Sequence, residues 1–129
     1  MDTRTKILTP QAARELRLPR LVVVTGYFDL LRAAHVCDLE AVRCRTAAGA
    51  MLAIVLPWDQ AVLGQRARAE MAAALRVLDY VVIPDENDAA GGVSALLAAL
   101  HPIEVVRLEM ADARRNRELI EHVQQRHSS

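Results

Sequence analysis

Aromatic side chains are nearly absent from this sequence, with one Trp, two Tyr and one Phe among 129 residues. A core of stacked rings is thereby excluded. Ala, Val, Leu and Ile must fill the interior, which suits strands covered by small-residue helices. Long apolar runs are missing too: none approaches the roughly 20 residues that span a bilayer, and the opening Met1–Arg20 stretch is too polar for a secretory signal. Neither sign of charge is in excess, since Lys plus Arg and Asp plus Glu each total 16. That balance gives no electrostatic footprint for nucleic acid or an anionic membrane, and neither is expected as a partner.

Cysteine is scarce. Cys37 and Cys44 fall on one expected helix, where their spacing puts the Cα atoms roughly 10 Å apart, beyond disulfide reach. Free thiols imply a cytoplasmic protein. His101, His122 and His127 show no spacing with Cys or carboxylates that would build a zinc site, so no protein-built metal centre is expected. Without any Pro/Gly/Ser-rich linker, low-complexity tract or sequence repeat, the chain reads as one domain over residues 1–129.

What is present is an alternation of two kinds of segment. Thr9-Pro10 supplies a cap followed by proline at the first helical position, opening a short helix through Leu16. Leu21–Val24, Met51–Leu56, Tyr80–Ile83 and Ile103–Leu108 are apolar runs without alternation, as expected of strands covered on both faces. Between them lie helical patterns. Ala33–Arg45 carries Val36, Leu39 and Val42 at helical spacing, with Gly49 as a stop signal. Ala67–Leu78 would face Met71, Leu75 and Leu78 inward. Asp85–Asp88 reads as a polar turn, and Ser94–Leu100 as a helix capped near Gly91-Gly92-Val93. Arg114–Arg126 is a closing helix with Leu119, Ile120 and Val123 inside. Strand–helix alternation predicts parallel pairing through right-handed crossovers. The fold class is therefore α/β, a three-layer Rossmann-like (α/β/α) sandwich with a parallel sheet and Leu21–Val24 central.

Open parallel sheets bind ligands at the carboxyl ends of their strands, which directs attention to the loop after Val24. It reads Thr25-Gly26-Tyr27-Phe28-Asp29-Leu30-Leu31-Arg32-Ala33-Ala34-His35. Gly26 lets backbone approach a ligand closely. The helix starting near Ala33 directs its unpaired N–H groups toward the same space, a ready phosphate site. Arg32 and His35 stand three apart at that helix start, can face one pocket, and can both donate to phosphate oxygens. The plain alternative is turn chemistry at Gly26, a local cap at Asp29 and a hydrogen-bonded His35. On spacing alone the two readings are balanced.

Gly26-Tyr27-Phe28-Asp29-Leu30-Leu31-Arg32-Ala33-Ala34-His35 resembles the Gly-x-Phe-Asp-Leu-Leu-His-x-Gly-His signature of the cytidylyltransferase-like nucleotidyltransferases. The pattern lies nearest to the adenylyltransferase domains of ADP-heptose synthases, with the glycerol-3-phosphate cytidylyltransferases as relatives. Val55–Val62 resembles the family's Val-Asn-Ser-Asp-x-x-Val segment and Arg68–Leu75 its Glu-Arg helix. Leu78–Ile83 resembles its Val-Asp-Tyr-Val-Val strand, and His101-Pro102 precedes the fourth strand as in the family. The resemblance runs from roughly residue 5 to 110 and implies a sheet of the nucleotidyltransferase type. It implies that His35 and Arg32 bind the triphosphate as the charge-stabilising pair, that Gly26, Tyr27, Phe28 and Asp29 form the nucleotide loop, and that Arg68 neutralises leaving-group charge. Mg²⁺ would accompany CTP or ATP, with a small phosphorylated sugar or polyol as acceptor. A homodimer is expected, as in the family.

The signature is degenerate. Arg32 replaces the first histidine, and its longer planar head cannot take the imidazole's position although it can clasp phosphate. Ala34 replaces glycine. Leu63-Gly64-Gln65-Arg66-Ala67 lacks the family's lysine, Arg107–Asp112 replaces Lys-Gly-x-Asp, and the Ser-Thr-Thr segment has no counterpart. Several losses at one pocket lead to the expectation of a nucleotide-binding domain with impaired or repurposed chemistry. The alternative is an active transferase moving CMP or AMP with release of pyrophosphate. Trp58 could stack on a base or simply pack its loop, and the second reading is favoured. Arg114, Arg115 and Arg117 form a basic cluster read as a solvated face, with Arg114 placed to reach a phosphate from the fourth-strand loop.

Overall fold

The computed structural model describes residues 3–84 and 91–128, and contains one parallel sheet. A 3-10 turn at Thr3–Lys6 leads into β1 (Ile7–Leu8) and α1 (Pro10–Arg14). Then follow β2 (Leu21–Gly26), α2 (Ala33–Thr46), β3 (Ala50–Val55), α3 (Gln65–Ala73) and β4 (Tyr80–Val82). α4 (Gly91–Leu100), β5 (Glu104–Arg107) and α5 (Glu109–Ser128) complete the chain. The strand order is β1-β4-β3-β2-β5, every pairing parallel, so the chain has the α/β Rossmann-like architecture expected. β2 is interior, registered against β3 from Leu21↔Ala50 to Gly26↔Val55 and against β5 from Val22↔Glu104 to Thr25↔Arg107. β3 takes the middle position.

β2 and β3 are buried along their whole length, which is why neither shows polar alternation. Period-two geometry then sends alternate residues to two cores. Val22, Val24, Met51, Ala53 and Val55 join Leu39, Val42, Ala69, Ala72 and Ala73 from α2 and α3. Leu21, Val23, Leu52 and Ile54 join Ala13, Val93, Leu96 and Leu100 from α1 and α4. Thr9 caps α1 as its sequence indicates, its hydroxyl accepting the Ala12 N–H at 3.1 Å.

Four expectations are corrected. β1, only two residues long, adds a fifth strand at the sheet edge beside β4; two residues are too short to carry a pattern. α3 starts at Gln65 and ends at Ala73, and it buries Arg68, Ala69, Ala72 and Ala73 while Met71 is 38% exposed. Small alanines let this helix lie close to the sheet, and Leu78 is buried from the turn that follows instead. α2 ends at Thr46, one residue past the expected Arg45, but the residue that closes it is Ala47, in the left-handed region at φ 50°, and not Gly49. α5 begins at Glu109, five residues earlier than expected, so Arg114, Arg115 and Arg117 lie beyond its first turn. Ile120 and Val123 are exposed. α4 opens at Gly91, and the Asp85–Asp88 turn lies outside the described residues. No helix among the described residues is long and apolar enough to cross a membrane.

Candidate functional site

The chain leaves β2 toward β3 on one side, while β5 returns on the other. The crevice between the carboxyl ends of β2 and β5 is therefore the switch point where an open α/β sheet receives ligands. The 26–32 loop forms one wall and the start of α5 the other. Leu108 N–H donates to the Thr25 carbonyl at 2.7 Å and locks the two strand ends together.

Within the loop, Phe28 and Leu30 hold φ of 53° and 47°, a left-handed conformation that costs an L-residue about 1–2 kcal/mol. Burial of the Phe28 ring in the core helps hold the first of these turns. The result is a pair of backbone amides, of Tyr27 and Phe28, aimed at one point. That point is the Asp112 carboxylate of α5: its Oδ2 accepts the Tyr27 N–H at 2.9 Å and the Phe28 N–H at 3.4 Å. Gly26 is needed for this close approach and not for its φ, because a Cβ there would stand 2.5 Å from Asp112 Oδ2.

Asp112 is one of three α5 residues docked on the loop. Glu109 accepts the Thr25 hydroxyl, and Asn116 Nδ2 donates to Asp29 Oδ2 at 2.6 Å. Spacings of three and four put Glu109, Asp112 and Asn116 on one helix face. Arg115 pairs with Asp38 of α2 and ties the same turn down from the side. Burial pushes the Asp112 carboxyl up from its ordinary value, against the pull of the Tyr27 and Phe28 amides.

His35 completes the arrangement at the start of α2. It is 5% exposed, and its Nδ1 accepts the Arg32 backbone N–H at 3.0 Å, the reach-back half of a capping box. A donor at Nδ1 places the neutral ring's proton on Nε2. Burial, reinforced by Arg115 and Arg32, holds His35 below the ordinary histidine value and so neutral near pH 7. Nε2 lies 3.6 Å from Asp112 Oδ1, too long for a hydrogen bond, and it is a buried polar atom without a partner.

Asp29 and Arg68 hold the loop from beneath. Asp29, 1% exposed, accepts the Val62 and Leu63 N–H groups at 2.7 and 3.0 Å. Arg68, 2% exposed, donates to the carbonyls of Tyr27 and Leu56, each at 2.8 Å, and of Leu63 at 3.2 Å. These three carbonyls come from the loop after β2 and from both ends of the β3–α3 connection, so one guanidinium ties the two loops together. At the mouth, Tyr27 and Trp58 stack with centroids 4.4 Å apart and planes 9° from parallel, so Trp58 packs on the loop's own aromatic. A cleft of about 340 Å³ opens beside Trp58, lined also by Gln60, Ala113, Asn116 and Ile120.

No family model matches the sequence. Two bifunctional HldE proteins do align with it. That of Pelobacter propionicus is 36% identical over 100 residues, covering 70% of this chain and 19% of the relative. That of Geobacter sulfurreducens is 32% identical over 106 residues, covering 74% of this chain and 20% of the relative. The chain is thus similar to about one fifth of each. This likeness supports the cytidylyltransferase-like resemblance at family level.

The structure brings Gly26, Tyr27, Phe28, Asp29 and His35 together at the crevice. It leaves Arg32 exposed at the helix start, with Ala34 also facing outward. Arg68 lies beneath the loop with its guanidinium bonded to the carbonyls of Tyr27, Leu56 and Leu63. Arg114 is exposed, 3.9 Å from Glu118 on its own helix. Sequence reasoning missed Glu109, Asp112 and Asn116. Their signal was a polar 3,4 spacing immediately after the strand that flanks the switch point.

Proposed function

We propose that this chain is a single nucleotidyltransferase-like domain that binds nucleotide phosphates at the 26–35 loop and has impaired or repurposed catalysis. The observation that carries the reading is the convergence of three donors, the Tyr27 and Phe28 amides and the buried His35 Nε2–H, at the switch-point crevice. Neutral amides and a neutral imidazole are suited to bind and orient phosphate oxygens. The likeness to bifunctional HldE proteins supports the same class.

Impairment rests on what stands around those donors. Stabilising the charge that develops during transfer needs donors aligned on the reacting phosphorus. Here Arg32 is exposed, Arg68 is committed to three carbonyls and Asp112 puts negative charge on the loop amides. Metal ion would come with the triphosphate as Mg²⁺–CTP or Mg²⁺–ATP. Among the described residues no group of three His, Cys, Asp or Glu side chains could hold one. A small phosphorylated sugar or polyol would be the acceptor. The exposed Cys37 and Cys44 fit a cytoplasmic setting.

The retained His35 donor favours a second reading, an active enzyme transferring CMP or AMP with release of pyrophosphate. One experiment separates the two. Calorimetric titration of CTP and ATP with Mg²⁺ should show weak binding that His35→Ala abolishes. Pyrophosphate release across a panel of sugar and polyol phosphates should be negligible. Robust release lost in His35→Ala would establish the active enzyme, and no nucleotide binding at all would refute both.

A further inference from the structure

The donors that make the loop a phosphate seat already have an occupant. One Asp112 oxygen takes both loop amides, its carboxylate lies against Gly26, and its other oxygen faces the unpartnered His35 Nε2 at 3.6 Å. A carboxylate held by two main-chain N–H groups has the charge, acceptor geometry and size of a phosphate edge. We propose that Asp112 is an internal occupant of the phosphate seat. The first turns of α5 must then withdraw before a pyrophosphate or triphosphate group can reach Tyr27, Phe28 and His35. The inference rests on the reading of this loop as a phosphate site.

Two independent features argue that α5 can move. Its grip on the loop is polar, through Glu109, Asp112 and Asn116 with Arg115 paired to Asp38 beside them, so a phosphate that takes over the loop donors replaces the bonds that Asp112 gives up. Its remaining length contributes little to the core: from Arg117 to Arg126 every residue but Leu119 is exposed, and Met110 is 88% exposed. The fit at His35 is also incomplete. Its Nε2–H is aimed at Asp112 but falls short of a hydrogen bond, so a phosphate oxygen seated slightly deeper satisfies a donor that the carboxylate leaves unsatisfied. Asp112 therefore sets which anions bind. Only a ligand with more charge and more acceptors than a carboxylate displaces it.

The test is calorimetric titration of inorganic pyrophosphate, CTP and ATP into the unaltered chain, Asp112→Ala and Asp112→Asn, with thermal melts to establish that each variant is folded. Emptying the seat with Asp112→Ala should tighten pyrophosphate binding by about tenfold to a hundredfold, the worth of one charge-assisted bond freed. Asp112→Asn, which keeps the shape and an acceptor for both amides but removes the charge, should give a smaller gain. It decides alone should the alanine variant not fold. Equal pyrophosphate affinity in all folded proteins overturns the inference. Tighter pyrophosphate binding without any response to CTP or ATP keeps the internal occupant and removes the nucleotide reading. Equally tight CTP or ATP binding by all three does the reverse.

Discussion

Asp112 and Tyr27 lie 85 residues apart in sequence, yet the side chain of one accepts the backbone N–H of the other at 2.9 Å. This bond joins the last helix to the loop after β2. Together with the Glu109 and Asn116 contacts it makes the loop conformation and the α5 position mutually dependent. Substitutions on either side should therefore be coupled.

Gly26→Ala places a methyl group 2.5 Å from Asp112 Oδ2 and 3.2 Å from the Phe28 ring. Overpacking of this kind costs about 1–3 kcal/mol. Urea denaturation should show that loss in the unaltered background and a smaller one beside Asp112→Ala, since one of the two clashes is then gone. Additive losses in the double variant would contradict the contact.

Asp29→Ala removes the acceptor for Val62 N–H, Leu63 N–H and Asn116 Nδ2. Burying donors without partners should destabilise the chain by about 2–3 kcal/mol. Amide hydrogen exchange should accelerate first at residues 62 and 63. Unchanged exchange there would show that the carboxylate does not hold that segment.

His35 provides a pH signature. Its folded pKa lies below the ordinary 6.5 because burial, Arg115 and Arg32 disfavour the charged ring, with Asp38 acting in the opposite sense. The unfolded chain therefore binds the extra proton more readily, and stability should fall as pH drops below 6.5 toward the depressed folded value. Asp112, whose folded pKa is raised, acts oppositely, its contribution present at low pH and lost as pH rises from the ordinary 3.8 through its folded value. Subtracting the stability profile of His35→Gln from that of the unaltered chain should isolate the histidine slope. A flat difference below pH 6.5 would refute the assignment.

Ile120 and Val123 are 37% and 45% exposed on the outer half of α5, in line with the face that docks on the loop. We propose that a second copy of the chain covers this stripe. Sedimentation at micromolar concentration should show a dimer, and Ile120→Glu with Val123→Glu should return it to monomer. Surface changes of this sort alter monomer stability by only about 0.5 kcal/mol. A monomer in the unaltered chain at that concentration would dismiss the idea.

Much of the fold was written locally. Unbroken apolar runs mark strands buried on both faces, Thr9-Pro10 starts a helix by direct capping, and the order of segments allows little besides a parallel sheet. The loop from Gly26 to His35 was equally legible, because closeness of backbone and a helix start are properties of neighbouring residues. Tertiary structure decided what periodicity cannot express. β1 is a strand only because β4 offers it a ladder. Arg68 is internal because carbonyls of Tyr27, Leu56 and Leu63 meet around it. α5 turns Glu109, Asp112 and Asn116 inward because unpaired amides, a hydroxyl and a carboxylate await them across the crevice, while Ile120 and Val123 stay exposed. Hydrophobic pattern records which face prefers to leave water, but the burial of a polar face depends on partners that only the folded chain brings within reach.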